Sequence, residues 1–303
     1  LNDHLKLVEH RVKGMNEDEI LYADDTICIS EDEEAMNRLL AEIEKLGSTY
    51  GLRLNKGKCE YIKFGDANRV KFSDGTPVPL RHEVKHLGCK LNDNGDPKQE
   101  ISKRIQDCMI ALNKLHVFFY NTNNKTSRKI QMFNAILRSK LMYGLETVVM
   151  NQRVAERLNT FQLKCFRKNL QIPTTYINRS YSNSHVLTLI NNKLKEEKQK
   201  PVTMLTDYHR NARIKLLVKL IAERDKEPGT SVTFNPDLSP MDWGKKRVGQ
   251  PRKNWYKITI EDLWTEVKKN NDTVRYASVL DFGNRTHTQA IRDYAIRQYG
   301  KFK

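Results

Sequence analysis

The chain has 303 residues, of which 38% are hydrophobic and 30% are charged, and its formal net charge is +16. A chain of this length can form two or three domains with ordinary cores, and its composition excludes disorder throughout. Residues 1–13 are mixed and charged and do not resemble a signal peptide, and no apolar run has the roughly 20 residues that cross a bilayer, so we expect no membrane partner.

The positive charge is concentrated in one part of the chain. Residues 1–100 contain 15 basic and 20 acidic side chains, whereas residues 101–303 contain 38 basic and 17 acidic side chains. A one-sided positive charge favours binding to a polyanion, most simply nucleic acid. The alternative is a basic surface that only keeps the protein soluble.

The cysteines indicate the compartment. There are five, an odd number, and none forms a CxxC pair, so zinc fingers are not expected. Scattered thiols are typical of the reducing nucleus or cytoplasm. Because the chain begins with Leu1 and not with Met, we also expect it to be a fragment.

The first predicted element is a β-hairpin. Residues 20–22 and 26–29 are short, apolar and rich in β-formers, and Asp24 and Asp25 lie at the turn between them. Ser30, with Glu33 three residues later, predicts the capping box of a helix that ends near Gly47 or Gly51.

The pattern then predicts an antiparallel meander. Its strands are expected over 52–54, 59–64, 70–72, 78–80 and 86–91. After Pro97 the apolar residues recur at helical spacing. Helices are expected over 98–118, 127–145, 155–170, 203–221, 258–269 and 287–299, with an irregular proline-containing stretch over 226–256.

The residues that indicate chemistry are Tyr22-Ala23-Asp24-Asp25. Adjacent carboxylates at a sharp turn offer the oxygen ligands that Mg²⁺ prefers. Polynucleotide synthesis needs two such ions about 4 Å apart, and two carboxylates can hold only part of that site. A plain turn in which the aspartates have no catalytic role is the alternative.

This tetrad resembles the third palm motif of reverse transcriptases from non-LTR (LINE-type) retrotransposons. The resemblance continues in the order of the family's later motifs. Residues 51–59 are similar to the next palm motif, 83–88 to the primer-grip hairpin, 100–105 to the first thumb helix, 137–147 to an Arg-Ser-x-Leu-x-Tyr-Gly-x-Glu segment, and 249–255 to a C-terminal Gly-Arg-Pro-Arg box. His86 stands where the family more often has an aromatic residue.

The resemblance implies an α+β fold. It consists of a partial polymerase palm (hairpin, helix and antiparallel meander) over residues 1–97, a basic helical thumb over 98–225, and a C-terminal extension over 226–303. The implied activity is RNA-directed DNA synthesis by two-metal nucleotidyl transfer, with an RNA template and a DNA primer or target as partners.

The resemblance also implies roles for single residues. Asp24 and Asp25 would bind Mg²⁺ or Mn²⁺, and Lys58 would assist the leaving pyrophosphate. Tyr22 would support the primer end, and the primer strand would be held by His86, Leu87 and Gly88. The family's first metal-binding aspartate and its fingers are absent from these residues, so we expect the chain alone to be inactive.

Basic side chains supply further candidate nucleic-acid contacts. Lys103 and Arg104 lie on the first thumb-like helix, where they would follow the phosphate backbone. A second group lies between Trp243 and Trp255, whose indoles could stack on bases. Its members are Lys245, Lys246, Arg247, Arg252 and Lys253.

Two other functions stay open. The chain could be a remnant that binds nucleic acid without catalysis. His82-Glu83-Val84-Lys85-His86 also matches the HExxH motif of zinc peptidases, which requires a helix. Because Pro77, Pro79 and Gly88 flank these residues, we expect strand and turn there, and therefore no zinc.

Overall fold

The computed structural model describes residues 19–22, 25–30, 32–64, 69–95, 97–224, 226–241 and 254–300. These residues divide into two compact units. The first unit contains the described residues up to 95 and those of 223–241, and the second contains those of 97–222 and 254–300. In the described ranges, no helix has the length and apolar character needed to cross a membrane.

The first unit begins with the predicted hairpin. Strands β1 (Glu19–Tyr22) and β2 (Asp25–Cys28) pair antiparallel, with Tyr22 opposite Asp25. The hairpin prediction is therefore confirmed. Asp25 belongs to the second strand, and Asp24 lies outside the described residues.

Helix α1 (Glu33–Thr49) follows, but its cap is not the predicted one. The carboxylate of Asp32 accepts hydrogen bonds from the backbone N–H groups of Glu34 and Ala35, at 3.1 and 3.2 Å. The hydroxyl of Ser30 instead bonds the backbone of Asp32. The capping-box prediction was thus wrong by two residues, because a carboxylate nearer to the helix satisfies its first N–H groups.

The predicted meander is not formed between residues 52 and 80. The described residues there make a short 3₁₀ turn (Lys56–Lys58) and two isolated bridges, Tyr61 with Leu80 and Lys71 with Pro77. Prolines remove ladder donors, and the segment bonds helix α1 instead. Lys71 N–H donates to Asn37 Oδ1 at 2.8 Å, and Ser73 N–H donates to Glu44 Oε2 at 3.1 Å.

A second hairpin closes this stretch. Strands β3 (Glu83–His86) and β4 (Cys89–Asn92) pair antiparallel around Leu87 and Gly88. The single strand expected over 86–91 is therefore wrong. The left-handed backbone of Leu87 (φ 47°) and Gly88 (φ 83°) reverses the chain there, as two-residue hairpin turns require.

The second unit is helical. Its helices are α2 (Lys98–Lys114), α3 (His116–Tyr120), α4 (Thr126–Met132), α5 (Ser139–Met142), α6 (Gln152–Leu170), α7 (Asn183–Glu196), α8 (Leu205–Ala222), α9 (Trp255–Asn270) and α10 (Arg285–Tyr299). A π-helical segment, Phe133–Arg138, joins α4 to α5. The mixture of helices and antiparallel hairpins is compatible with the predicted α+β class.

The core of the second unit comes from the apolar residues at helical spacing. It includes Ile101, Leu112, Phe133, Leu141, Leu158 and Phe166, all almost fully buried. Helix α7 was not predicted. Its buried stripe has only Val186, Ile190 and Leu194, and the intervening Asn, Ser and Thr residues favour helices weakly.

Candidate functional site

The candidate metal-binding position lies on the first hairpin. Asp25 begins β2 and is exposed, and the Tyr22 side chain opposite it is 61% exposed. A carboxylate that is open to solvent at a chain reversal suits a hard cation. In the described ranges no group of three or more His, Cys, Asp or Glu side chains could hold a metal ion.

Lys58 lies near an electrostatic cluster that sequence reasoning missed. Lys58 is exposed in the 3₁₀ turn, whereas Lys56 is held by two carboxylates. The Nζ atom of Lys56 lies 2.7 Å from Glu44 Oε1, 2.7 Å from Asp74 Oδ2, and 5.0 Å from the centre of the Phe72 ring. No local pattern signals this cluster, because its members come from α1, the turn and a later loop.

The cluster changes the titration of its members. The hydrogen bond from Lys56 is the main cause that lowers the pKa of both Glu44 and Asp74. The bond to Asp74 is the main cause that raises the pKa of Lys56. The folded state therefore favours the charged carboxylates. This contribution to stability is present at neutral pH and is lost as the pH falls through the lowered pKa values.

Lys56→Met is expected to return the pKa values of Glu44 and Asp74 towards their ordinary range, because the cation that holds both carboxylates charged is removed. Carboxyl resonances followed by NMR against pH measure this change. Lys45→Met is the control, since Lys45 is exposed and lies 3.7 Å from Glu42. Unchanged titration of Glu44 and Asp74 in Lys56→Met would contradict the assignment.

The residues that resemble a primer grip occupy the turn of the second hairpin. His86 is the last residue of β3 and is half-buried, and Leu87 and Gly88 form the exposed reversal. A leucine with positive φ is uncommon and costs conformational energy. Such backbone strain is concentrated at functional sites, so this turn stays a candidate contact.

The HExxH residues do not have the geometry of a zinc peptidase. Glu83 to His86 form a strand, so the two histidines do not share a helix face. His82 Nδ1 lies 2.7 Å from Asp93 Oδ2, and Glu83 pairs with Lys90. The peptidase alternative is therefore contradicted by the backbone, because its ligands require helical spacing.

The two predicted cations on α2 differ in their surroundings. Lys103 is exposed, whereas Arg104 is only 7% exposed. The Arg104 guanidinium donates to Glu100 Oε1 at 2.6 Å and to the carbonyl oxygens of Leu141 and Tyr143. Arg104 thus joins α2 to the end of α5. The predicted phosphate contact of Arg104 is contradicted, because its guanidinium is buried and donates to groups of the protein itself.

The predicted basic loop extends along the sequence from Trp243 to Trp255. Lys245, Lys246, Arg247, Arg252 and Lys253 lie outside the described residues. Trp255, at its C-terminal edge, is described and half-buried. Its indole N–H donates to the carbonyl of Glu146 at 2.8 Å. This indole therefore anchors the start of α9.

Comparison with known proteins finds a family that matches the N-terminal part of the chain, which includes the first hairpin. Residues 1–91 match the family of reverse transcriptases (RNA-dependent DNA polymerases). This range contains both hairpins except for the last residue of β4. The N-terminal part of the chain is thus similar to reverse transcriptases. No solved structure matches the chain.

Two curated relatives are named as products of transposons or mobile elements. The chain is 27% identical over 172 residues to a transposon-derived protein of Caenorhabditis elegans, a match that covers 54% of this chain and 61% of that protein. It is 24% identical over 239 residues to the RNA-directed DNA polymerase from mobile element jockey of Drosophila funebris. This match covers 74% of this chain and 26% of that protein. The chain is related to the reverse transcriptases of non-LTR retrotransposons, as its motifs indicated.

Proposed function

We propose that this chain is a palm-and-thumb part of an RNA-directed DNA polymerase. The observation that carries the proposal is the hairpin that brings Tyr22 opposite the exposed carboxylate of Asp25. The match of residues 1–91 to reverse transcriptases supports it. In this proposal the palm comprises about residues 1–97, the thumb 98–225 and a C-terminal extension 226–303.

The proposed site assigns each candidate a task. Asp24 and Asp25 hold part of a two-ion Mg²⁺ site and Tyr22 supports the primer end, while Lys58 neutralises the leaving pyrophosphate. Bound Mg²⁺ ions would supply activation of the primer hydroxyl and neutralisation of the triphosphate. The second hairpin would bear on the primer strand through His86, Leu87 and Gly88.

Nucleic acid is the proposed partner, with an RNA template and a DNA primer. Exposed cations of the second unit, such as Lys103, would contact phosphates without reading sequence. The cations between Trp243 and Trp255 are proposed for the same purpose. Arg104 is not included, because its guanidinium bonds carbonyl oxygens inside the unit.

Mn²⁺ binding to the chain, measured by electron paramagnetic resonance, tests the metal assignment. Asp24→Asn and Asp25→Asn are each expected to weaken binding by at least about tenfold. Even the loss of a group that only orients a metal ligand typically costs about 10- to 100-fold. Glu34→Gln is the matched control, because Glu34 is an exposed carboxylate of the same unit. Its variant is expected to bind Mn²⁺ as the unmodified chain does.

Equal Mn²⁺ binding by all four proteins would contradict the metal assignment and favour a chain that only binds nucleic acid. Primer extension with Mg²⁺ is a second readout on the same preparations. These 303 residues alone are expected to give none, because a two-ion site needs a further carboxylate. Measured primer extension would contradict the expectation that these residues lack part of the two-ion site.

A further inference from the structure

The loop between α6 and α7 is held firmly at its base. The guanidinium of Arg167, on the last turn of α6, donates to the Pro173 carbonyl at 3.0 Å and to the Tyr181 carbonyl at 2.8 Å. It also donates to Asn183 Oδ1 at 3.0 Å. One side chain thus joins both ends of the loop, so that residues 174–180 project as a closed turn.

The tip of this loop presents an aromatic ring to solvent. Every residue from 174 to 180 is exposed, and the side chains of Tyr176 and Ile177 are 98% and 73% exposed. Within the tip, Asn178 Oδ1 accepts hydrogen bonds from the N–H and the hydroxyl of Ser180. A large ring held on an ordered turn, and not buried against its own chain, is suited to contact a ligand.

The charge around the loop points to a polyanion. Residues 157–195, which span most of α6, the loop and most of α7, contain seven Lys or Arg residues and no Asp or Glu. Arg179 lies three residues after Tyr176 and is exposed. Cations beside an exposed ring combine phosphate attraction with base stacking, the pairing that single-stranded nucleic acids need.

We propose that the 174–180 loop is a binding site for single-stranded nucleic acid, in which Tyr176 stacks on a base and Arg179 contacts the phosphate backbone. Arg167 is a positioning residue that holds the loop. The proposal rests on the proposed function, since it takes nucleic acid as the ligand of the chain. Stacking requires an unpaired base, so duplex nucleic acid is not the ligand of this loop.

The chain supplies a matched control for this tyrosine. Tyr276, in the same unit, is 90% exposed and lies beside an arginine, with the Arg275 guanidinium 5.9 Å from its ring centre. That arginine is 3.6 Å from the carboxylate of Asp272. The Tyr276 ring therefore resembles that of Tyr176 in exposure but has an acidic neighbour.

Fluorescence anisotropy with a labelled oligo(dT) of about 20 nucleotides tests the proposal. Tyr176→Ala is expected to weaken binding by about 5- to 150-fold, the cost of losing one stacked base, whereas Tyr276→Ala leaves it unchanged. Tyr176→Phe keeps the ring and is expected to bind normally. Arg179→Gln is expected to reduce the slope of log affinity against log salt by about 0.7, the value for one single-strand phosphate contact.

The outcomes separate this proposal from the proposed function. Equal affinity of Tyr176→Ala, Tyr276→Ala and the unmodified chain would overturn the loop site while leaving nucleic-acid binding intact. Absence of binding by the unmodified chain would overturn both. Equal loss for duplex and single-stranded probes in Tyr176→Ala would also overturn it, because a duplex has no free base to stack.

Crosslinking gives a readout that does not depend on affinity. Irradiation with a bromodeoxyuridine oligonucleotide is expected to label the tryptic peptide 169–179, which contains Tyr176. The peptide 276–285, which contains Tyr276, is expected to stay unlabelled. Labelling of the second peptide and not the first would refute the assignment.

Discussion

Replacing Asp262 with Asn is expected to lower the free energy of unfolding of the second unit by about 3 kcal/mol. Asp262 Oδ2 lies 2.8 Å from the guanidinium of Arg213, which is 7% exposed, and its Oδ1 lies 3.0 Å from Arg210. Burial lowers the pKa of Arg213, and Asp262 opposes that shift. Without the carboxylate, a buried cation loses its counterion.

The magnitude follows from burial. Removing one partner of a buried ion pair costs about 3 to 5 kcal/mol, and the low end applies because the Asp262 side chain is 25% exposed. Asp272→Asn is the control. Asp272 is 96% exposed and lies 3.6 Å from Arg275, so a loss below about 1 kcal/mol is expected.

Urea unfolding followed by circular dichroism measures these differences. The double variant Arg213→Met with Asp262→Asn is expected to lose less than the sum of the single variants, because the unpaired charge is no longer present. A loss for Asp262→Asn no larger than that for Asp272→Asn would contradict this account of the pair.

Gln162→Leu is expected to lower the free energy of unfolding by about 1 to 3 kcal/mol, because the buried N–H of Leu205 loses its acceptor and the part-buried carbonyl of Thr203 loses a donor. Gln162 is 1% exposed. Its Nε2 donates to the Thr203 carbonyl at 2.9 Å, and its Oε1 accepts from the Leu205 N–H at 2.8 Å. This amide therefore satisfies the first N–H of α8, and leucine fills similar space without replacing either bond.

Helix α6, which contains Gln162, also provides the control residue for this prediction. Gln152 is exposed, and its Nε2 donates to Glu156 at 2.9 Å. Gln152→Leu is expected to change the free energy of unfolding by less than about 0.5 kcal/mol, as is usual for surface positions. Similar urea midpoints for the two variants would show that the Gln162 bonds add nothing to stability.

Local patterns predicted the elements whose signals lie within a few residues. The first hairpin follows from short β-forming runs on either side of Asp24 and Asp25, and the long helices follow from apolar residues at helical spacing. Helix α7 escaped this reasoning because its stripe is narrow. It is formed through burial of Val186, Ile190 and Leu194.

The predictions that failed depended on distant partners. Arg104 looked like a surface cation on its helix, but its guanidinium reaches carbonyl oxygens 37 and 39 residues away. The meander was expected from strand propensity alone. The side chains of Asn37 and Glu44 in α1 instead accept hydrogen bonds from the backbone N–H groups of Lys71 and Ser73.

The sequence by itself indicated the resemblance to reverse transcriptases of non-LTR retrotransposons, because the order of its motifs can be read without any tertiary contact. It also placed Tyr22 and Asp25 on one hairpin through short-range turn chemistry. Only the tertiary structure decided which charged side chains form ion pairs or hydrogen bonds within the protein and which face solvent. Burial depends on chain segments that meet after folding, so identical cations such as Lys56 and Lys58 differ in their partners although a single residue separates them.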